Sequence, residues 1–234
     1  MRVFVFASGG GTNLLALLQA RKHQDSFEIA GLFTDRCCVA QERAEAEGVL
    51  SLCLPFSDFK EGYNKGPGLR QAYDQAILGL LQTFDIDLIV LAGYMRMLTP
   101  VLLEAYPNRI INVHPADLSL LNDQGQRRYV GAHAVRDALL QGETATRSCV
   151  ILVNEEMDGG QVLVSGPWVP FTGVAINDAN AIVLHQEKQK EQSDWPALVE
   201  AVERIAEGRL SLDAFGRVYC DGALLGPNGV EIAR

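Results

Sequence analysis

Extended runs of lysine or arginine are missing from this 234-residue chain, in which 20 basic residues are set against 29 acidic ones. The formal net charge of -9 argues against broad binding to nucleic acid or to an anionic membrane, because both require clustered positive charge. A phosphorylated small substrate would therefore have to be held by a local site.

Cysteine motifs and long apolar segments are missing as well. The five cysteines include the neighbours Cys37 and Cys38 but no Cys-x-x-Cys, which fits neither a disulfide framework nor a zinc site. No apolar segment approaches the length of a membrane span, and the N-terminus lacks the pattern of a signal peptide. We therefore expect a cytoplasmic enzyme without a metal; its oligomeric state cannot be read from these features.

Apolar residues are plentiful enough for a sizeable core, at 48% hydrophobic against 21% charged. Short apolar runs alternate with helical patterns at βαβ spacing, which predicts an α/β fold with a doubly wound, mostly parallel sheet and mixed C-terminal strands. Helices are predicted at about 175–190 and 195–207. We expect one domain, 1–234, with halves at about 1–100 and 101–208 and a terminal hairpin at about 209–234 that turns at 220–223.

Two residues capable of chemistry end a buried strand in the middle of the chain. The apolar run that starts at Ile110 ends in Asn112-x-His114-Pro115, where the proline stops strand pairing. Residues two apart on a strand share a face, so Asn112 and His114 should point the same way. Asp158 follows a second apolar run and precedes a Gly-Gly pair. Each residue alone could be a turn cap or a satisfied core residue, but together they suit acyl chemistry.

The first strand ends in a glycine-rich loop, residues 8–13 (SGGGTN), that leads into a helical pattern. Free N–H groups at a helix start, with glycines beside them, form a cradle for phosphate. The loop is neither a Walker A loop nor a complete Gly-x-Gly-x-x-Gly fingerprint. On spacing alone, a tight turn without a ligand is an equal alternative.

Another strand end carries a charge in apolar surroundings, at Arg96. Such an arginine needs a partner, and a substrate carboxylate is one candidate. Tyr94, Met95 and Met97 beside it could equally be core residues, and for Met97 we favour the core.

Four motifs follow one another along the chain: 8–14 (SGGGTNL), 91–98 (LAGYMRML), 112–115 (NVHP) and 157–160 (MDGG). Together they resemble the phosphoribosylglycinamide formyltransferases of purine synthesis, and the likeness extends in register to the helix after Trp195. The resemblance implies a Rossmann-like fold and transfer of a formyl group from 10-formyltetrahydrofolate, as co-substrate, to the amine of glycinamide ribonucleotide.

The resemblance also implies a role for particular residues. It implies that the catalytic residues are Asn112, His114 and Asp158. The ribose phosphate would be bound by Gly10, Gly11, Thr12 and Asn13, the folate by Arg70, Met95, Arg96 and Leu98, and the acceptor by Glu191.

The chemistry of these side chains agrees with the resemblance. Attack of an amine on a formyl carbonyl makes a tetrahedral centre that bears an oxyanion and a cationic amine. Asn112 and a protonated His114 can donate to the oxygen, while Asp158 can keep His114 protonated and accept the proton of the amine. No cysteine or serine is placed as a covalent nucleophile, so we expect direct transfer.

Some positions depart from the family pattern. The segment 116–130 is longer than expected and has lost a proline, which affects the acceptor side. Ile151 replaces a histidine that the family often carries, and Gln192 replaces a basic or imidazole residue. Arg127 and Arg128, within the long segment, could clamp acidic groups of a substrate, although we favour a solvated charged pair.

Other functions stay open at this point. The first βα unit would suit a dinucleotide-binding oxidoreductase with Asp35 on a ribose, but the glycine pattern argues against it. A non-catalytic small-molecule binding protein or a formyltransferase for another amine is also compatible. Transformylases of methionyl-tRNA or amino sugars share the Asn-x-His-Pro core, but we do not expect this phosphate loop in them.

Overall fold

The computed structural model describes residues 1–63, 68–173 and 178–233, which separate into two compact units. Unit 1 comprises Met1–Asn112 with Val153–Glu155, and unit 2 comprises Val113–Leu152 with Glu156–Arg234. The division falls inside a strand, between Asn112 and Val113, so the candidate residues Asn112 and His114 belong to different units.

Unit 1 alternates strands and helices as the apolar runs predicted, except that two helices in succession precede its fourth strand. Its elements are β1 (Arg2–Ala7), α1 (Thr12–Ala20), β2 (Glu28–Thr34), α2 (Val39–Ala46), β3 (Ser51–Cys53), α3 (Phe56–Gly62), α4 (Leu69–Leu81), β4 (Leu88–Leu91), α5 (Pro100–Ala105) and the first part of β5 (Ile110–His114).

The strands of unit 1 are parallel and follow the order β5-β4-β1-β2-β3. Because β1 pairs with β2 on one side and β4 on the other, the strand order reverses between β1 and β4. Ligands of doubly wound sheets bind outside the carboxyl ends of the strands at such a reversal. The loops after β1 and β4, residues 8–13 and 93–96, therefore lie where a ligand is expected.

The centre of unit 1 is β1, of which residues 3–7 are each 0% exposed. Such burial is typical of a parallel strand covered on both faces. Phe6 also makes an edge-to-face contact with Tyr94, with ring centroids 5.3 Å apart. A contact of this kind contributes about 0.5–1.5 kcal/mol beyond burial. Tyr94 thereby ties the loop after β4 to the core.

Unit 2 begins with the end of β5 and contains short strands and two longer helices. Its further elements are α6 (Ala134–Leu140), β6 (Ala145–Thr146), β7 (Cys149–Leu152), β8 (Val162–Ser165), β9 (Val169–Pro170), α7 (Ala179–Gln189), a π-helix (Lys190–Asp194), α8 (Trp195–Ala206), β10 (Leu210–Leu212), β11 (Val218–Cys220), β12 (Ala223–Leu224) and β13 (Val230–Glu231).

The strands of unit 2 are mixed in direction. β8 pairs antiparallel with β7 and parallel with β13, while β6 and β9 form an antiparallel pair. The predicted α/β class, with a mostly parallel sheet and mixed C-terminal strands, is confirmed. No helix of the described residues is long and apolar enough to cross a membrane.

The C-terminal strands β10, β11 and β12 form a three-stranded antiparallel sheet, where a single hairpin was expected. The expected turn is present between β11 and β12. Asp221 and Gly222 at its centre have φ angles of 50° and 81°, and a two-residue turn of this kind needs positive φ at both positions.

A π-helix interrupts the region where two separate α-helices were predicted. α7, the π-helix and α8 follow one another without a gap. Positions 175–177 of the first predicted helix lie outside the described residues. Segments of π-helix are rare and often occur at functional sites, and this one contains Glu191.

Candidate active site

The glycine loop of unit 1 leads directly into α1. Gly11 is the N-cap residue with a left-handed φ of 68°, and no side chain caps the helix. A Cβ on Gly11 would lie 2.8 Å from Ala40 of α2, so glycine is needed here for both the backbone angle and the packing. A Cβ on Gly10 would meet nothing within 4 Å. Gly10 therefore borders open space, whereas Gly11 is enclosed.

The start of α1 has the chemistry of an anion site. The N–H groups of a first helical turn, including those of Thr12 and Asn13, have no intrahelical acceptor, and the helix dipole adds partial positive charge. Asn13 is 8% exposed, and its Oδ1 has no hydrogen-bond partner among the described residues. Because an unpaired buried acceptor costs about 1–3 kcal/mol, a bound hydroxyl or amine would be stabilised there.

Hydrogen bonds join the glycine loop to the loop after β4. The Ser8 N–H donates to the carbonyl of Gly93 at 3.2 Å, and the Met95 N–H donates to Ser8 Oγ at 3.0 Å. Arg70 of α4 donates to the carbonyl of Met97 at 3.1 Å. The structure thus brings the glycine loop, Met95 and Arg70 into one region of unit 1, and Met95 is 60% exposed there.

Met97 and Leu98 lie differently from what the sequence indicated. Met97 is 39% exposed, so the core position favoured for it is wrong. Leu98 is 8% exposed and belongs to the hydrophobic core of unit 1. Its side chain is committed to the core, and its role in folate binding stays a prediction.

Arg96 has a carboxylate partner within unit 1. Its Nε donates to Asp35 Oδ2 at 2.7 Å, and its guanidinium lies 3.6 Å from the centre of the Phe56 ring. Burial raises the pKa of Asp35, but hydrogen bonds from Arg36 and Ser8 and the two arginine charges outweigh it, so the pKa is lowered. Arg96 therefore has the partner that the sequence called for, and that partner is Asp35 where a substrate carboxylate had been the candidate. A ribose contact by Asp35 is disfavoured because its carboxylate is already occupied.

Asn112 is half-buried on β5 and lies in register with Leu91 of β4. It belongs to unit 1, whereas His114 and Asp158 belong to unit 2.

His114 is 4% exposed, and both of its ring nitrogens have partners in unit 2. Nε2 lies 2.8 Å from the carbonyl oxygen of Tyr129, and Nδ1 lies 3.4 Å from Asp158 Oδ2. Since a carbonyl can only accept, Nε2 carries a hydrogen and donates it. Burial lowers the pKa of His114, against the opposing effects of the Asp158 charge and the Tyr129 carbonyl. The position of the ring left to titrate is Nδ1, which faces a carboxylate.

Asp158 is held from several sides. Its φ of 51° lies in the left-handed region, which aspartate tolerates better than most residues. Its Oδ2 accepts the Gly131 N–H at 2.7 Å. The guanidinium of Arg127 donates to the carbonyl oxygen of Asp158 and, at 2.7 Å, to that of Gly160. These contacts aim the carboxylate at His114.

The chain matches known proteins over most of its length. The sequence model of the formyl transferases matches residues 1–189. This chain belongs to that family. The formyltransferase is 30% identical over 232 residues to the phosphoribosylglycinamide formyltransferase of Haemophilus influenzae, with 97% of both chains covered. It is 29% identical over 231 residues to that of Escherichia coli K12, with 98% of both chains covered.

A solved structure gives the same result for the fold. The crystal structure of glycinamide ribonucleotide transformylase 1 from Symbiobacterium toebii superposes with a TM-score of 0.75 and 30% identity, over 94% of this chain and 93% of that one. The resemblance to the phosphoribosylglycinamide formyltransferases and the prediction of a folate-dependent formyltransferase are confirmed.

The arginines in the segment 116–130 of this formyltransferase differ from each other. Arg128 is exposed and donates to Gln141 at 3.0 Å and to Glu143 at 3.5 Å. Arg127 is half-buried and donates to backbone carbonyls of the Asp158 loop. The favoured interpretation of a solvated pair is therefore wrong for Arg127.

The remaining candidate and departure positions also lie in unit 2. Ile151 is 2% exposed and packs in an apolar cluster, so it serves the core. Glu191 and Gln192 are exposed on the π-helix. Ser193 anchors that helix, because its Oγ accepts the Ser148 N–H at 2.9 Å.

Two backbone partners of His114 and Asp158 escaped the sequence analysis, the Tyr129 carbonyl and the Gly131 N–H. Gly131 could have been noticed, since a glycine shortly before a helix suits a turn, and its φ in the structure is 77°. Nothing in the sequence marks the carbonyl of Tyr129. As to metals, the described residues contain no group of three or more His, Cys, Asp or Glu that could hold an ion.

Proposed function

We propose that this formyltransferase moves the formyl group of 10-formyltetrahydrofolate to the amine of glycinamide ribonucleotide. The observation that carries the proposal is the pair of buried His114 and half-buried Asp158 in unit 2, with 3.4 Å between His114 Nδ1 and Asp158 Oδ2. The relatives from H. influenzae and E. coli, both named phosphoribosylglycinamide formyltransferases, support the choice of acceptor.

The bond changes follow from the chemistry of an amide-like donor. The amine attacks the formyl carbon, and the carbonyl π electrons move to oxygen. Asn112 donates its amide hydrogen to the resulting oxyanion, as preorganised donors do in acyl transfer. The bond from the formyl carbon to N10 of the folate then breaks, its electrons stay on N10, and the carbonyl re-forms.

The pair His114 and Asp158 handles the proton. Because His114 Nε2 donates to the carbonyl of Tyr129, the atoms of the pair that can carry the transferred proton are Nδ1 and the carboxylate oxygen that faces it. The pair accepts the proton that the cationic amine loses and returns one to N10 as it leaves, so no proton is gained or lost overall. His114 thus acts through Asp158, where the sequence had suggested donation to the oxyanion.

The substrates are held by separate groups of residues in this proposal. The phosphate of the acceptor binds the N–H groups of Thr12 and Asn13, on the open side of the loop at Gly10, while Gly11 gives the loop its shape. The carboxylates of the folate bind Arg70, whose guanidinium is exposed at Met97. The other predicted folate contacts are Met95, Arg96 and Leu98, and the predicted acceptor contact is Glu191.

Formyl transfer followed by absorbance tests the proposal with His114→Ala and Asp158→Asn. Asparagine tolerates the positive φ of Asp158, so this change removes the charge and keeps the backbone. Each variant should lose about 10²–10⁴-fold in kcat, the usual contribution of a side chain that transfers a proton in the transition state. His23→Ala and Asp25→Asn, at exposed positions of unit 1, are matched controls and should keep wild-type turnover.

Two results would contradict the proposal. Near-normal turnover of a folded His114 or Asp158 variant would show that the pair has no catalytic role. Transfer to an amine without phosphate, at a kcat/KM equal to that with glycinamide ribonucleotide, would show that glycinamide ribonucleotide is not the specific acceptor.

A further inference from the structure

The long segment 116–130 is anchored firmly to the rest of unit 2. Near its start, Asp117 is 4% exposed and accepts from Arg147 at 3.0 Å. Near its end, Tyr129 is 2% exposed and its hydroxyl donates to Glu143 at 2.9 Å. An isolated antiparallel bridge between Leu121 and Arg127 closes the middle of the segment. The position of Arg127 is therefore fixed by its own segment.

Arg127 uses this fixed position to hold another loop. Its two terminal nitrogens donate to the carbonyl oxygens of Asp158 and Gly160, and the planar guanidinium suits such paired acceptors. Asp158 needs support because a non-glycine residue with positive φ is uncommon and stays there only when its surroundings hold it. The side-chain carboxylate is left free for Gly131 and His114.

We propose that Arg127 is a positioning residue for formyl transfer, which holds the backbone of the Asp158 loop so that the carboxylate faces His114. The proposal rests on the proposed function of that pair. It also explains what the atypical segment contributes, because the same stretch supplies the carbonyl of Tyr129 to His114 and the guanidinium to the loop.

A substrate-binding role fits Arg127 less well. Both terminal nitrogens of its guanidinium already have backbone acceptors within unit 2. A positioning role also predicts a particular kinetic signature. Misplacement of a reacting group by about 1 Å costs about 10²-fold in rate, while substrate contacts made elsewhere are kept. The loss should therefore appear in kcat and not in KM.

The test compares Arg127→Met, Arg127→Lys and Arg128→Met. Methionine keeps much of the apolar stem and removes the donors, and Arg128→Met removes an equal charge from the neighbouring residue, which bonds to Gln141 and Glu143. Arg127→Met should lower kcat about 100-fold with both KM values within about threefold. Arg127→Lys should recover part of kcat, because an ammonium can reach one carbonyl, and Arg128→Met should stay within about twofold.

A second measurement works without turnover. The ¹⁵N chemical shift of His114 Nδ1 should change in Arg127→Met and stay at the wild-type value in Arg128→Met. Circular dichroism checks that each variant folds. If Arg127→Met does not fold, the kinetic and chemical-shift measurements are made on Arg127→Lys.

The outcomes separate this proposal from the proposed function. Wild-type protein that transfers no formyl group refutes the function, while the Nδ1 shift still decides whether Arg127 positions the pair. Active wild type with Arg127→Met at near-normal kcat, or with a loss confined to KM, overturns the role of Arg127 and leaves the function standing. An unchanged Nδ1 shift in Arg127→Met overturns it as well.

Discussion

Replacement of Gly11 by alanine should destabilise the protein far more than the same replacement of Gly10. An L-residue in the left-handed region costs roughly 1–2 kcal/mol, and Gly11 has a φ of 68°. The new Cβ would lie 2.8 Å from both Cα and Cβ of Ala40, so α1 and α2 would have to separate. Overpacking of this kind costs about 1–3 kcal/mol. Together the two effects predict a loss of about 2–5 kcal/mol in the free energy of unfolding.

Gly10→Ala is the matched control, because its Cβ would meet nothing within 4 Å. Its free energy of unfolding should stay within about 0.5 kcal/mol of wild type. A larger side chain, in Gly10→Val, should raise the KM for the phosphorylated acceptor and leave folate binding unchanged. The neighbouring glycines thus separate the structural role of the loop from its binding role.

Urea denaturation of Gly11→Ala and Gly10→Ala, with thermal melting alongside, measures the difference. For a chain of this length about 2–4 °C of melting temperature corresponds to 1 kcal/mol, so Gly11→Ala should melt about 4–20 °C lower. Equal stability of the two variants would refute the account of Gly11. A strong rise in acceptor KM for a fully stable Gly11→Ala, with none for Gly10→Val, would move the phosphate to the other side of the loop.

Two further predictions concern charged groups. Arg70→Ala should weaken folate binding without loss of stability. Arg96→Ala should also cost about 1–3 kcal/mol in the free energy of unfolding, because it removes one hydrogen-bond donor from the buried Asp35. Fluorescence titration and urea denaturation of both variants distinguish these effects, and equal stability of the two would count against the Asp35 pairing. Burial and the charge of Lys188 lower the pKa of His185 in the folded protein. Below the pKa of about 6.5 that histidine has in the unfolded chain, the unfolded chain therefore binds more protons than the folded one. The free energy of unfolding should for this reason fall as the pH is lowered through that value. Urea midpoints between about pH 5.5 and 7.5 should fall less steeply in His185→Gln than in wild type, and an identical slope would contradict the assignment.

The sequence predicted those features of the site that depend on neighbours along the chain. The strand, glycine loop and helix of residues 2–20 follow from apolar runs and turn residues, and so does the order of strand and motif at Asn112 and Asp158. It was also sound to argue that Arg96 needs a partner.

Partners distant in sequence could not be found in this way. Asp35 lies 61 residues from Arg96, and Arg127 lies 31 residues from Asp158. Both side-chain acceptors of Arg127 and one partner of His114 are carbonyl oxygens, which every residue possesses, so no residue type signals them. Exposure of Met97 depends on which elements cover it, and periodicity does not report that.

The π-helix is a further feature without a local signal. Its five residues are polar, and positions 191–194 lay between the two predicted helices; the extra residue per turn is set by what the helix packs against. The Ser193 contact with Ser148, 45 residues away, is one such constraint. The family resemblance suggested Glu191, but the geometry that presents it needed the structure.

The pairing of β13 with β8 bears on how copies of the protein behave together. All four residues of β8 are buried, and β7 occupies one of its edges. An apolar strand with an open second edge is a template for pairing with another chain, which leads to aggregation. β13 closes that edge with only two residues, and the second of them, Glu231, is exposed and charged. We therefore expect β13 to hinder edge-to-edge assembly, so that aggregation in concentrated solution should depend on this two-residue strand.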